Sequence, residues 1–331
     1  MSGLTIKELD LRFKTPAGTS KGVLTTRKTW IVSYPGPRGL RLGEAGPLSW
    51  LSIASADEVR RDLSEWAAFD KQPLTRSGVF APEMIARDVG DHILFPSAFT
   101  QGRDAVRING LVWMGTREEV AQQVKSLLAR GFRCIKLKVG ADDWETELAS
   151  IDVIRNADAT VEIRVDANGA FSPMDAREKL SQLADRRVRS IEQPIAPGQW
   201  QELAKLCAES PIDIALDEEL IRADDPEALV ATVRPQGLVL KPSLLGGFAA
   251  AERWIELADR YGIYWWATSA LESSIGLNAL AQWLAVRSAD TIHGLGTGSL
   301  YVENIGAPLR LEGELLTYDP EIPWNLTLLT G

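Results

Sequence analysis

Cysteine is scarce in this chain of 331 residues, which carries only Cys134 and Cys207. The two are not spaced like a metal-binding pair, and Cys134 lies inside a predicted strand. We therefore expect both to be reduced thiols in the core of a cytoplasmic protein, because stabilising disulfides belong mainly to oxidising compartments.

Long apolar runs and basic runs are missing as well. No apolar run approaches the roughly 20 residues of a membrane span, and the first residues, MSGLTIKELDLRF, alternate like a strand and lack a cationic-then-apolar leader. The formal net charge is -9 with no basic run to offset it, which argues against a nucleic-acid binder. We expect no membrane, nucleic-acid or obligate protein partner. A metal-bound anionic small molecule stays possible, because local charge can oppose net charge.

The most informative stretch is Gly131 to Asn168, which reads as two strands separated by a spacer of helical length. Side chains of a strand alternate between its two faces. Lys136 and Lys138 therefore share a face of the first strand, and Asp166 and Asn168 share a face of the second. Charge near the end of each strand predicts a site at the mouth of a barrel.

From Arg107 onward, strands and helices alternate. Strand ends fall near 113, 138, 166, 192, 217, 241, 268 and 295, roughly 24 to 28 residues apart. Eight such units predict an α/β fold of the (β/α)8 type, a modified TIM barrel. Predicted helices are Ser55–Phe69, one capped by Thr116, Trp144–Asn156, Pro173–Ala184, Trp200–Glu209, Pro226–Val233, Ala249–Tyr261 and Leu277–Ser288.

The flanking parts lack this rhythm. Residues 1–105 predict a smaller domain with strands at Leu4–Phe13 and Lys28–Tyr34, and 106–307 form the barrel. The segment Thr15–Thr26 is either a plain hairpin connection or a flap over a ligand. Residues 35–48 read as turn-rich, and 79–102 give no clear pattern. The tail, 308–331, is too irregular for another unit and is expected to return to the N-terminal domain.

Three carboxylates fall at successive strand ends: Asp166, Glu192 and Asp217. Because chemistry collects at strand ends in such barrels, we expect them to converge. Carboxylates that lie so close together raise one another's pKa unless a cation lies between them. Oxygen ligands without His or Cys favour Mg²⁺, with Mn²⁺ possible. The alternative is a structural network of carboxylates with the lysines and Arg164.

Three lysines bracket these carboxylates: Lys136 and Lys138 before them and Lys241 after them. A lysine beside a cation and other ammonium groups has a lowered pKa and can act as a base near neutrality. Removal of a proton α to a carboxylate is its natural task, with a metal stabilising the product anion. A structural salt bridge is the alternative for each lysine. Asn168 and Glu219 are expected to support the site.

Small polar residues follow the last two predicted strands, at Thr268, Ser269, Gly296 and Thr297. Backbone N–H groups of such turns can hold an anion. Ordinary strand-to-helix turns have the same composition, so the pattern alone leaves both interpretations open.

Taken together, these motifs resemble the enolase superfamily, in its muconate-lactonizing-enzyme-like subgroup. The matching motifs are KLK with Lys136 and Lys138, DAN with Asp166, EQP with Glu192, LDEE with Asp217 and LKP with Lys241. Within the superfamily, residues 240–248, 268–283 and 294–301 are similar to the o-succinylbenzoate synthase family of menaquinone biosynthesis. The segment FKTPAGTSKGVLTT is similar to that family's flap, at about 15–26, in an α+β capping domain that the C-terminal tail completes.

The resemblance implies a hydro-lyase that forms o-succinylbenzoate by syn dehydration of 2-succinyl-6-hydroxy-2,4-cyclohexadiene-1-carboxylate. It implies that Lys138 removes and then delivers the proton, that Lys241 stabilises the anion from the other face, and that Lys136 assists. It also implies Mg²⁺ on the three carboxylates, with the succinyl end towards the flap and the last two strand-end loops.

Three other functions compete. With a lysine on each face, the same site could racemise an N-succinylamino acid or epimerise a dipeptide. A Schiff-base aldolase would use Lys241 as its nucleophile, but it leaves the three carboxylates unexplained. A non-catalytic binding barrel is disfavoured because no member of the metal-and-lysine set is missing.

Overall fold

The structure of the chain, a computed structural model, describes residues 3–19, 22–113, 115–288 and 290–330. The strands are β1 Thr5–Thr19, β2 Gly22–Gly36, β3 Gly39–Ala45, β4 Ala105–Arg107, β5 Gly110–Val112, β6 Cys134–Lys138, β7 Glu162–Asp166, β8 Ser190–Glu192, β9 Asp213–Leu216, β10 Gly237–Leu240, β11 Tyr264–Ala267, β12 Leu309–Glu312 and β13 Leu315–Tyr318. The helices are α1 Ala56–Phe69, α2 Arg76–Arg87, α3 Arg117–Ala129, α4 Trp144–Ala157, α5 Pro173–Asp185, α6 Trp200–Glu209, α7 Glu218–Arg222, α8 Pro226–Val233, α9 Pro242–Leu245, α10 Gly247–Tyr261, α11 Ser274–Arg287 and α12 Thr327–Thr330, with a 3₁₀ turn at Phe99–Gln101.

The N-terminal sheet is antiparallel, in the order β1-β2-β3. Both predicted strands are present and longer than expected, so 15–26 is the end of a long hairpin whose residues Ser20 and Lys21 lie outside the described part of the chain. β3 falls in the segment predicted to be turn-rich. Its glycines suggested turns, but seven residues pair with β2 and Gly39, at φ +109°, makes the connection.

The central sheet contains seven parallel strands in the order β11-β10-β9-β8-β7-β6-β5. Their ends lie within one residue of the predicted ones. The described residues form no regular eighth strand; instead, single parallel bridges join Thr268 to Gly294 and Ile108 to His293. The chain near 293 thus contacts both edges of the sheet. The predicted α/β fold with parallel strands and a separate antiparallel N-terminal sheet is confirmed.

The helices confirm most predicted boundaries to within three residues. The Thr116 cap forms both halves of a capping box with Glu119. The segment 79–102, for which the sequence gave no clear pattern, contains most of α2, which begins earlier, at Arg76. Pro82 lies inside this helix and hid it, because proline normally disrupts a helix interior.

The tail forms the hairpin β12–β13, which pairs with β4 through β13. Trp324 also packs edge-on against His92, with ring centroids 4.9 Å apart. The C-terminal residues therefore lie against the segment that precedes the parallel sheet.

Both cysteines are buried and free, as expected of core thiols. Burial raises the pKa of each thiol to about 12. Among the described residues, no helix is both long and apolar enough to cross a membrane.

Candidate active site

Three buried carboxylates meet at the carboxyl edge of the parallel sheet. Asp166 ends β7, Glu192 ends β8, and these two residues are register partners, while Asp217 follows β9 directly. One oxygen from each lies within 4.8 Å of the others. Strand alternation aims each side chain inward because its neighbours, such as Val165 and Ile191, pack into the hydrophobic core.

Lysines flank the triad from both sides of the sheet. Lys138 Nζ lies 2.6 Å from Asp166 Oδ2, and Lys136 Nζ lies 2.9 Å from the same oxygen and 2.5 Å from Glu192 Oε2. From the other side, Lys241 forms an ion pair with Asp217 and lies 3.8 Å from Glu192 Oε1. Since β6 and β10 lie on opposite sides of β7–β9, the triad is enclosed between ammonium groups.

This pairing determines the electrostatics. Burial works against the charge of Asp166, but Lys136 and Lys138 outweigh it and hold the pKa of Asp166 below its usual range. Burial and the charge of Asp166 raise the pKa of Glu192, and burial raises the pKa of Asp217.

Among the lysines, burial would lower the pKa of Lys136 and Lys241, but their carboxylate partners outweigh it and raise both pKa values. Each ammonium group pairs directly with carboxylates, which favours its charged form. These shifts come from protein groups alone, so the lowered lysine pKa expected beside a cation stays a prediction.

The triad also fits a divalent metal. Glu192 Oε1 and Asp217 Oδ1 are buried without a hydrogen-bond donor among the described residues. A purely structural ion network is expected to satisfy such oxygens. Moreover Arg164, a member of that alternative network, pairs with Glu162 rather than with the triad. An all-oxygen set of three carboxylates is suited to a hard divalent cation.

The structure changes which residues support the site. Lys138 Nζ donates to Asn168 Oδ1 at 2.8 Å, and Asn168 Nδ2 donates to Glu218 Oε1 at 3.0 Å. Glu219, expected to support the site, instead accepts from Gly198 N–H at 2.7 Å and from the indole of Trp200 at 3.1 Å.

The reason lies in the backbone. The alternation of a strand would put Asp217 and Glu219 on one face, but β9 ends at Leu216 and α7 begins at Glu218. The strand period therefore no longer applies, and the acid that reaches Asn168 is Glu218. Sequence reasoning missed it, although LDEE contains two consecutive glutamates.

A cavity of about 740 Å³, including its open mouth, lies over the lysines and Asp166. Its apolar roof comes from outside the parallel strands. The roof includes Leu24 from the hairpin, Leu48, Trp50 and Leu51 from the segment after β3, and Trp113 after β5. Trp113 lies at the first predicted strand end. The pattern of strand ends gave no signal for the other four residues, because they come from the N-terminal sheet and the segment after it.

The four predicted substrate contacts, Thr268, Ser269, Gly296 and Thr297, all line this cavity. The three hydroxyl groups among them already donate hydrogen bonds to acceptors within the protein. Thr268 donates to Gly294 O at 3.1 Å, Thr297 donates to Ser269 at 2.8 Å, and Ser269 donates to Glu272 at 2.5 Å. No described group accepts a hydrogen bond from the N–H of Gly296 or Thr297.

Comparison with known proteins shows which family the chain belongs to. The family model described as enolase C-terminal domain-like covers residues 119–321, which include the triad and the three lysines. The chain therefore belongs to the enolase superfamily, as its motifs predicted.

Within the superfamily, the chain is more similar to some proteins than to others. The chain is 40% identical to the o-succinylbenzoate synthase of Desulfotalea psychrophila, over 96% of this chain and 99% of that protein. The crystal structure of MenC from Desulfotalea psychrophila LSv54 matches with a TM-score of 0.79 at 36% identity, over 95% of this chain and 99% of that one. The L-Ala-D/L-Glu epimerase of Bacillus subtilis has a TM-score of 0.85, over 98% of this chain and 97% of that one, but 21% identity, which shows the fold alone.

Proposed function

We propose that the chain is an o-succinylbenzoate synthase. It dehydrates 2-succinyl-6-hydroxy-2,4-cyclohexadiene-1-carboxylate to o-succinylbenzoate in menaquinone biosynthesis, in the cytoplasm and without an obligate protein partner. The observation that carries the proposal is the near-full-length likeness to a synthase, in a chain whose lysines flank a buried acidic triad.

Lys138 is the proposed acid and base. As a neutral amine it takes the proton from the ring carbon that bears the carboxylate, and it then returns that proton to the departing hydroxyl, which leaves as water. The ring gains a double bond and becomes aromatic. Asn168 accepts a hydrogen bond from Lys138 and so orients its Nζ. General acid–base catalysis of this kind contributes about 10²–10⁴-fold.

Lys241 and Lys136 provide fixed positive charge. Lys241 reaches the site from the side opposite Lys138 and stabilises negative charge as it accumulates on the substrate carboxylate. Lys136, buried between Asp166 and Glu192, contributes the same kind of stabilisation without leaving its partners.

Asp166, Glu192 and Asp217 are the proposed ligands of Mg²⁺, with Mn²⁺ as an alternative. Glu192 Oε1 and Asp217 Oδ1, which accept no hydrogen bond from the described residues, support this assignment. When bound, the cation supplies Lewis-acid stabilisation of charge on the substrate carboxylate.

For the succinyl end, main-chain N–H groups are the proposed contact. The hydroxyls of Thr268, Ser269 and Thr297 already donate to protein acceptors. The N–H groups of Gly296 and Thr297, which have no acceptor among the described residues, are the donors that remain on this wall.

The fold proposed for this function is a closed (β/α)8-type barrel with a capping domain. The bridges at Gly294 and His293, which contact both edges of the sheet, support closure. The proposed boundaries are 1–105, 106–307 and 308–331. Leu24 lines the cavity, which supports a flap at 15–26.

The main rival is an N-succinylamino acid racemase, since lysines on both sides of the triad could exchange a proton from either face. Dipeptide epimerase is less well supported. A free dipeptide carries an ammonium group, and among the described residues Asp166 is the one acid that lines the cavity. An isolated buried ammonium group without a carboxylate partner is unfavourable.

The test is to incubate the purified chain and Mg²⁺ with the synthase substrate and to follow the aromatic product by ultraviolet absorbance. The same enzyme is incubated with N-succinylamino acids in D₂O. Dehydration faster than deuterium exchange, abolished by EDTA and restored by Mg²⁺, supports the proposal. Faster racemisation would reverse the ranking, and EDTA-resistant activity with borohydride trapping at Lys241 would favour the aldolase.

A further inference from the structure

A buried glutamate outside the metal site connects three of the loops at the mouth of the sheet. Glu272 lies between β11 and α11, and 1% of its surface is exposed. We define the Glu272 cluster as Glu272, Ser243, Ser269, the N–H of Ala270, and Thr297. Its members follow β10, β11 and the bridge segment at 293–294, which are the last three strand positions of the sheet.

Most contacts in the cluster are made to the Glu272 carboxylate. Ser269 Oγ donates to Glu272 Oε2 at 2.5 Å, Ala270 N–H donates to both oxygens at 2.9 and 3.1 Å, and Ser243 Oγ donates to Oε1. Thr297 joins through its 2.8 Å bond to Ser269. Hydrogen-bond networks of buried polar groups rigidify the segments that they connect.

The cluster holds a strained residue in the wall of the cavity. Leu271 has φ +64°, in the left-handed region that residues other than glycine seldom adopt. Its N–H donates to Ser269 Oγ at 2.9 Å, and its carbonyl accepts from Tyr301 at 2.6 Å. Ser269 is in turn fixed by Glu272, so the shape of this wall depends on that carboxylate.

We propose that Glu272 is a positioning residue for substrate specificity, which fixes the wall of the cavity that receives the distal carboxylate-bearing end of the substrate. Glu272 itself contacts no substrate in this assignment. It acts by holding Ser269, Leu271 and Thr297 in one arrangement. The identity of this substrate end, the succinyl group, rests on the proposed synthase function.

The ring end of the substrate is expected to depend less on Glu272. That end lies at the lysines and the triad, which are held by their own ion pairs and by the parallel strands. Loss of the Glu272 carboxylate should therefore be selective. Affinity should fall for a ligand with the succinyl tail and stay the same for a ligand without it.

The experiment compares Glu272→Leu and Glu272→Gln with the wild-type chain, each loaded with Mg²⁺. Affinities for o-succinylbenzoate and for benzoate are measured through the fluorescence of the cavity tryptophans. Leucine removes the acceptor of Ser243, Ser269 and Ala270, whereas glutamine keeps one acceptor oxygen and the side-chain shape. We expect Glu272→Leu to bind o-succinylbenzoate about tenfold or more weakly, Glu272→Gln to lie between it and wild type, and benzoate to change less than about twofold.

The matched control is Glu83→Gln. Glu83 also accepts main-chain N–H groups, from Phe248 and Ala249 at the start of α10, but it does not line the cavity. This variant should lose stability without changing the preference between the two ligands. If both Glu272 variants bind o-succinylbenzoate like wild type, or if benzoate affinity falls in parallel, the proposal is overturned.

Hydrogen exchange separates this proposal from the proposed function. The amides of Ala270 and Leu271 donate within the cluster and should exchange faster in both Glu272 variants, whatever the enzyme catalyses. Unchanged exchange at these amides would overturn the proposal that Glu272 holds this wall in place. The wild-type chain could form no o-succinylbenzoate while both variants show faster exchange. That result would refute the synthase proposal but still support the positioning role of Glu272.

Discussion

Protonation of His293 should destabilise the bridge segment at 293–294 at acidic pH. His293 is fully buried and pairs with Ile108 before β5, and its neighbour Gly294 pairs with Thr268 after β11. Its Nδ1 accepts from Ala267 N–H at 3.1 Å, so Nε2 carries the proton and donates to Ser288 O at 2.9 Å. A second proton would have to go on Nδ1, where it would face the N–H of Ala267.

The size of the effect follows from the pKa shift. Burial lowers the pKa of His293 from 6.5 to about 4. The unfolded chain therefore binds a proton below pH 6.5 while the folded chain stays neutral, and the free energy of unfolding falls as the pH falls. Linkage gives a loss of about 2 kcal/mol between pH 8 and pH 5, approaching about 3 kcal/mol near pH 4.

The assay is urea unfolding of the wild-type chain and of His293→Asn at pH 8, 6.5 and 5. Asparagine can still accept from Ala267 N–H but does not titrate. Other acids contribute equally to both proteins, so the difference in stability between wild type and variant should shrink by about 2 kcal/mol from pH 8 to pH 5. Parallel pH curves, or a nitrogen NMR titration of His293 near pH 6.5, would refute the reasoning.

Three further predictions concern the candidate site. Lys138→Ala should lower the dehydration rate about 10²–10⁴-fold with Mg²⁺ affinity kept, as measured by product absorbance and calorimetry; full turnover would contradict the proposed mechanism. Asp217→Asn should weaken Mg²⁺ binding about tenfold or more by calorimetry, because it removes one negative ligand, and unchanged affinity would remove Asp217 from the ligand set. Asn168→Ala should lower kcat about tenfold with little change in KM, because Lys138 loses its 2.8 Å partner. A rise in KM alone would point to substrate binding instead.

Where local pattern was strong, sequence reasoning worked well. The period of two placed Lys136, Lys138 and Asp166 on inward faces, and the structure brings them together. The capping box at Thr116 fixed the start of α3. These features depend on neighbouring residues in the chain, and such short-range geometry is visible in sequence.

Where the backbone changed conformation, the same reasoning failed. The strand period was continued past Leu216 and selected Glu219, although the chain turns into α7 and presents Glu218 to Asn168. Pro82 hid α2 because tertiary packing can hold a helix that local propensity disfavours.

The sequence by itself determined the alternation of the seven parallel strands with helices, the superfamily, and the side chains that make up the triad and its lysines. Only the tertiary structure decided how the cavity is enclosed and which of its polar groups are free. Leu24, Trp50 and Trp113 form its roof from distant parts of the chain, and Glu272 accepts hydrogen bonds from the hydroxyls of Ser243 and Ser269. Contacts between residues far apart in the chain depend on packing in three dimensions, and no local periodicity encodes them.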